Sequence, residues 1–301
     1  MTDLHGSTLL RRHIGRRFEA LRLRAGLTQA QAAEALERGR ATIGRIEDGD
    51  ERVRFRTNDV RAMLDLYGAP EAEREVLLGM TAETRNGRHK SWWHDYTETE
   101  LPNWFGLYVS LEDGAETIRQ FEAELVPGLL QTRAYAEELT GIPDGYLDAQ
   151  ERERRVNVRM ERQSVLTRPR APRLDVILSE AVLRREVGGA ARMADQLDSL
   201  IESSKQANIS VRVVPFAAGV HGGMAAVAPF TILDFPVDRL SGEPIEPPMA
   251  YAESLTGAMY LTRNDEVRAY QGVWNDLERR ALDETSSKDM ITTICKEYTS
   301  G

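Results

Sequence analysis

Two short helices separated by a three-residue break constrain this chain more than any other feature. Ala25-Gly-Leu-Thr-Gln-Ala-Gln-Ala-Ala-Glu-Ala-Leu36 runs into Gly39-Arg-Ala-Thr-Ile-Gly-Arg-Ile-Glu-Asp-Gly49. Thr28 and Gln31 have the spacing of a capping box, in which hydroxyl and amide satisfy opposite orphan N–H groups. The helix they open, over 29–36, is predicted to turn Ala32, Ala33 and Leu36 inward. The next, about 40–48, buries Ile43 and Ile46 and leaves Arg40, Ala41, Thr42 and Arg45 facing out, with Gly49 as its stop. A helix with such an outer face fits the major groove, where its first turns reach base edges and Arg matches guanine with two hydrogen bonds. Around this pair, Leu10, Ile14, Phe18, Leu21 and Ala25 mark an amphipathic first helix that Gly26 ends. Thr57 opens a fourth helix through Leu66, and Gly68-Ala69-Pro70 separates it from a fifth, over 71–85. The expectation is an all-α head of five helices over 1–84.

This segment resembles the helix-turn-helix of the Cro/cI repressor superfamily, of the xenobiotic-response-element (XRE) type. Leu27-Thr28-Gln29, Ala33, Ile43 and Arg45-Ile46-Glu47 before Gly49 fall in register, and the likeness covers roughly 11–68. It implies a lambda-repressor-like head in which Gln29 meets phosphate and a base edge at the start of the second helix. Arg40, Ala41 and Arg45 take base-reading positions, Arg54-Phe55 follows as a pair touching backbone and minor groove, and Arg22 with Glu47 forms a buried ion pair. Two positions depart from the pattern. Glu37 replaces the turn glycine, where a left-handed backbone costs of order 1 kcal/mol. Gly39 replaces the usual Ser cap and donates no side-chain bond. A five-helix head that binds another protein is the competing reading.

Charge points the same way without deciding. The net charge is −9, yet residues 1–61 hold 13 Arg against 9 Asp and Glu, so the remainder carries −13. A basic head on an acidic body suggests a nucleic-acid module joined to something else. Because 35 of the 39 cationic residues are Arg, a chance cluster gives similar numbers.

Residues 85–91 (RNGRHKS) read as a linker, and 92–301 as a second domain, α+β in class. It opens on an aromatic block, Trp92, Trp93, Tyr96, Trp104, Phe105 and Tyr108, which is either a core seam or a ligand cage. Helices are expected at 148–167, 190–206, 264–283 and 287–298, and strands at 174–178, 209–213, 230–235, 249–253 and 258–262. Pro127-Gly-Leu-Leu-Gln-Thr132 forms a turn whose Thr132 can cap a helix carrying Tyr135. It anchors the core, or else Gln131 and Tyr135 join Trp92, Trp93, Tyr96 and Trp104 around a ligand or partner. Leu125 to Thr132, Arg155 to Gln163, Ser179 to Leu183 and Val214-Pro215-Phe216 are together similar to the domain that follows a helix-turn-helix in WhiJ-like and Scr1-like actinomycete regulators. That resemblance implies a transcription regulator, often encoded beside a small partner protein.

Other functions find little support. The N-terminus lacks an apolar leader and no stretch reaches the roughly 18 apolar residues of a membrane span, so a cytoplasmic protein is expected. Cys295 is the one cysteine, and His89 and His94 lack metal-ligand companions. Ser210, His221 and Asp234 could be combined into a triad, but no nucleophile elbow accompanies them. Asp148, Glu151, Glu153 and Glu161 alternate with Arg and read as a solvated face. No catalytic residue, metal or cofactor is expected. The function read from the sequence is a homodimeric DNA-binding transcriptional regulator on a palindromic operator, whose second domain senses a ligand or a protein partner. An antitoxin-like protein that binds a small partner and regulates its own synthesis is the alternative.

Overall fold

The computed structural model describes residues 4–50, 52–86, 103–142, 147–225, 229–237, 244, 246–254 and 257–300. The chain forms two compact units: Met1–Leu107 with Pro236–Glu246, and Tyr108–Phe235 with Pro247–Gly301. The first unit also takes in a later segment; of the linker expected at 85–91, residues 87–91 lie outside the described residues. A buried carboxylate accounts for that segment: Glu246 lies 2.8 Å from His13 Nδ1 and 3.0 Å from Arg16 Nη1. Partners 233 residues apart leave no local pattern to read.

The first unit contains α1 (Leu4–Arg24), α2 (Gln29–Ala35), α3 (Arg40–Glu47), α4 (Thr57–Leu66) and α5 (Glu71–Asn86). Its core follows the helical periodicity, with Ile14, Phe18, Leu21, Ile43, Leu64 and Leu77 fully buried. Ala25 is exposed rather than inward, because α1 has already ended. Four helices of this unit end in the same way. Past α1, α2, α3 and α4, the residues Gly26, Glu37, Gly49 and Gly68 adopt φ of +72°, +54°, +66° and +62°. At each, the next amide reaches back five residues to a helical carbonyl: Leu27 to Arg22, Arg38 to Ala33, Asp50 to Arg45 and Ala69 to Leu64. This Schellman pairing needs a left-handed residue, which only glycine supplies without strain.

Helix α6 (Asn103–Gly114) leads into the second unit, whose elements are β1 (Thr117–Glu122), α7 (Arg133–Thr140), α8 (Ala149–Arg162), β2 (Arg173–Ser179), α9 (Glu180–Arg184), α10 (Ala190–Ser203), β3 (Ile209–Val214), α11 (Gly222–Ala225), β4 (Phe230–Asp234), β5 (Met249–Ser254), β6 (Gly257–Leu261), α12 (Asn264–Arg280) and α13 (Glu284–Ser300). The sheet order is β3-β2-β1-β4-β5-β6. β1, β2 and β3 run parallel, with Ile118 opposite Leu174 and Val176 opposite Val211; β4, β5 and β6 add antiparallel neighbours. Alternation gives the sheet two unlike faces. One carries Phe121, Ile177, Phe230, Ile232 and Ala250, packed on Trp274 and Leu277 of α12. The other is apolar along β2 and β3 but bears Gln120, Glu122, Thr231 and Tyr251 along β1, β4 and β5. The class is α+β, as expected, although β1 was not foreseen. Among the described residues, no helix is long and apolar enough to cross a membrane.

Candidate nucleic-acid interface

The α2–α3 pair is built by its caps. Thr28 Oγ1 accepts from the Gln31 amide at 3.2 Å while Gln31 Oε1 accepts from the Thr28 amide at 2.9 Å, completing the capping box. Gly39 opens α3 with no side-chain cap, as its identity dictates. Burial of Ala32 and Ala33 on α2 and of Ile43 and Ile46 on α3 then fixes which side of α3 faces outward. Helix α1 locks this orientation from behind. A Cβ at Gly15 would sit 2.6 Å from the Ile46 carbonyl oxygen, and one at Gly49 2.6 Å from Arg12 Cα. No side chain larger than hydrogen fits between those backbones.

A buried charge pair adds to the lock. Arg22 Nε donates to Glu47 Oε1 at 2.6 Å and Arg22 Nη2 to Oε2 at 3.0 Å, both residues buried. The hydrogen bond to Glu47 holds the guanidinium above its ordinary range against the opposing cost of burial. Gln29 Nε2 also donates to Glu47 Oε2, at 2.7 Å. Its amide nitrogen is therefore engaged inside the head, which distinguishes it from the other interface candidates.

The remaining candidates form an exposed surface. Arg40, Ala41 and Arg45 on α3 are exposed, and Thr42 is half-buried with Arg45 Nη2 at 3.5 Å from its hydroxyl. After α3 the chain alternates: Phe55 is buried against Phe18, ring centroids 6.3 Å apart, so Arg54 and Arg56 project to either side. Of the Arg54-Phe55 pair, only Arg54 is available at the surface. Arg11 secures this segment by donating to the Val53 carbonyl at 2.8 Å and lying over the Phe55 ring.

Ion pairing sorts the arginines of the head. Arg16, Arg17, Arg22, Arg24, Arg38, Arg52 and Arg74 each meet a carboxylate. Arg52 holds the Asp50 carboxyl well below the usual range through a side-chain hydrogen bond. Among the described residues, Arg40, Arg45, Arg54 and Arg56 are exposed and meet none; Arg12 on α1 and Arg61 on α4 share that condition. Cationic charge left without internal partners thus concentrates on α3 and the segment after it. Such a surface can hold phosphate oxygens and base-edge acceptors.

In the second unit, three glutamines tie the Pro127–Thr132 turn to its surroundings. Gln131 Nε2 donates to Val126 O at 2.6 Å, Gln163 Nε2 to Gln131 O at 2.7 Å, and Gln196 Nε2 to Leu130 O at 2.8 Å. Tyr135 is fully buried and its hydroxyl accepts from the Val126 amide at 3.2 Å. Gln131 and Tyr135 are thereby engaged in holding the turn, which is the anchoring alternative. Trp92, Trp93 and Tyr96 lie outside the described residues, and so does the side chain of Trp104.

Sequence reasoning missed a buried polar cluster beside this turn. Arg162 of α8 meets Glu112 of α6 through two hydrogen bonds of 2.6 and 2.8 Å, with side chains 8% and 1% exposed. Arg159 donates to Gln131 Oε1 at 3.0 Å, and burial pushes its guanidinium down to about 10. Gln120 donates to Glu122 at 2.8 Å, and burial pushes the Glu122 carboxyl up to about 8. The arginines of α8 therefore do not all share the solvated face expected for that helix; Arg159 and Arg162 turn toward partners 28 and 50 residues earlier in the chain. Ser210, His221 and Asp234 are not brought together. Ser210 donates to Glu284 at 2.6 Å, Asp234 accepts from Arg119 at 2.6 Å, and His221 sits edge-on to Phe121.

Two protein-family models match the chain. A helix-turn-helix domain matches residues 13–77, and a domain of unknown function, DUF5753, matches residues 105–293. Neither a curated protein nor a solved structure matches.

Proposed function

Because the chain belongs to the family defined by the DUF5753 domain and carries a DNA-binding helix-turn-helix ahead of it, we propose that it is a sequence-specific transcriptional regulator acting on double-stranded DNA. The observation that carries this reading is the outer face of α3, where, among the described residues, Arg40 and Arg45 are exposed and form no salt bridge, while seven other arginines of the head do. In the proposed complex α3 lies in the major groove, Arg40 and Arg45 read base edges, and Ala41 and Thr42 pack close to them. Arg54 and Arg56 bind phosphates and set the register. Gln29, held by Glu47, positions α2 over the backbone.

One such head covers a half-site, so two copies on a palindromic operator, about one helical turn apart, form the working unit. The second unit is the proposed dimer surface. Phe216, Val220 and Met224 are 61%, 79% and 61% exposed within nine residues of sequence, a density of apolar surface that marks association sites. The −13 balance beyond residue 61 keeps the body of the protein away from phosphate. Selection of binding sequences from a pool of random duplexes by the full-length protein tests the reading. Enrichment of an inverted repeat is expected, with preference relaxed at one position of each half-site in Arg40→Ala and in Arg45→Ala. Phe216→Asp is expected to yield monomers on sedimentation and single half-site occupancy. A pool that emerges unenriched would exclude sequence-specific binding.

A further inference from the structure

The head contains a hollow that DNA contacts leave unexplained. A cavity of about 280 Å³ opens between α3, the segment after it and α4. Its floor is apolar, with Ile43, Ile46, Phe55, Val60 and Met63 all buried and contributing to the lining. Its rim is cationic, with Arg45, Arg54 and Arg56 exposed and, among the described residues, in no salt bridge. The other rim arginines, Arg38 and Arg52, are neutralised by Asp59 and Asp50. Phosphate oxygens can satisfy the rim, but a sugar–phosphate edge offers no apolar body for the floor. The volume lies at the small end of ligand pockets, which run from about 300 to 1,000 Å³. It suits a compact one- or two-ring molecule, or a short aliphatic chain.

We infer that this cavity binds a small amphipathic organic anion, its apolar body on the floor and its carboxylate or sulfonate held by Arg54 and Arg56, and that occupancy excludes operator DNA. The exclusion rests on the DNA-binding reading, because Arg54 and Arg56 serve both partners; binding of the anion does not. The effector site of the protein would then lie in the head beside the recognition helix. A ligand bound there acts by simple competition, since each partner's arginine contacts are unavailable to the other.

Naphthalene sulfonate, with neutral naphthalene methanol as its control, tests the inference by equilibrium dialysis against the full-length protein. Saturable uptake of the sulfonate with clear preference over the neutral analogue is expected. Arg54→Ala and Arg56→Ala should each weaken it by about tenfold, the loss of a charge-assisted hydrogen bond. Ala62, an exposed α4 residue that lines the cavity, supplies a blocking variant. Ala62→Trp should abolish uptake while duplex affinity persists. Absence of uptake, or uptake indifferent to Ala62→Trp, overturns the site. Uptake that specific duplex fails to displace overturns the exclusion alone. A protein that takes up the sulfonate in an Ala62-dependent way yet binds no duplex would uphold the cavity and refute the DNA-binding reading.

Discussion

Glu37→Gly is expected to stabilise the helix-turn-helix. Glu37 occupies the left-handed position of the turn at φ +54°, where three other helices of the head have glycine. Its amide donates to Glu34 O at 3.1 Å and the following amide, Arg38, donates to Ala33 O at 2.8 Å, so the strained φ is fixed by the motif. The side chain is exposed and, among the described residues, makes no hydrogen bond or ion pair that the substitution would forfeit. Relief of left-handed strain in an L-residue is worth about 1–2 kcal/mol. Glycine gives back about 0.4–1 kcal/mol through the greater freedom of the unfolded chain. The net gain is roughly 0.5–1 kcal/mol, a two- to fivefold change in the local opening equilibrium. Hydrogen exchange of the full-length protein reads this directly at the Arg38 amide and across α2 and α3. Glu37→Ala is the control: it removes a carboxylate from the end of α2, worth a few tenths of a kcal/mol, but keeps the strain. Protection should therefore rise in the order wild type, Ala, Gly. Equal or lower protection in Gly than in Ala would show that the turn is not left-handed at 37, and the proposed presentation of α3 would lose its footing.

Two further substitutions probe the packing and the buried charge. Gly15→Ala places a methyl group against the Ile46 carbonyl and should cost about 1–3 kcal/mol or more, whereas Gly68→Ala, with nothing within 4 Å of its Cβ, should cost only the left-handed strain of about 1 kcal/mol; chemical denaturation of both variants checks the difference. Glu122 carries a proton in the folded protein up to about 8, against an ordinary value of 4.5, so the folded state binds more protons than the unfolded one between those values. The contribution of Glu122 to stability should be greatest below the lower value and fall as pH rises toward the upper one, by of order a few kcal/mol at about 1.4 kcal/mol per pH unit. Glu122→Gln should flatten that fall, and an unchanged slope would mean that the carboxyl is not desolvated.

The head was legible because its signals are local. Each helix of the α2–α3 pair announces its start or stop within four residues, and Ile43 and Ile46 declare the inner face of α3. Even the irregular turn was readable from Glu37, since the position demands a left-handed residue whatever occupies it. The second unit was legible where apolar alternation is local, as in β2 and β3, and not where pairing is remote. β1 lies in the middle of the sheet, yet reads Thr-Ile-Arg-Gln-Phe-Glu. Its Arg119 is tolerated there because Asp234 of β4, 115 residues later, receives it. Likewise Arg162 looks like one charge among many on α8 until Glu112 is placed beneath it. Nonlocal partners convert residues that read as surface into interior ones, and no window of sequence contains both members.

The central claim, that α3 reads bases while the segment after it holds phosphate, predicts different signatures for two arginines in one titration. Duplex affinity should be measured over a range of salt for the selected site and for a scrambled site, with full-length wild type, Arg45→Ala and Arg54→Ala. Arg45→Ala should lose about 1–3 kcal/mol on the selected site and little on the scrambled one, relaxing preference at a single base position. Arg54→Ala should weaken both sites alike and reduce the slope of log affinity against log salt by about one. Equal losses on both sites for Arg45→Ala would contradict the assignment of α3 as the recognition helix.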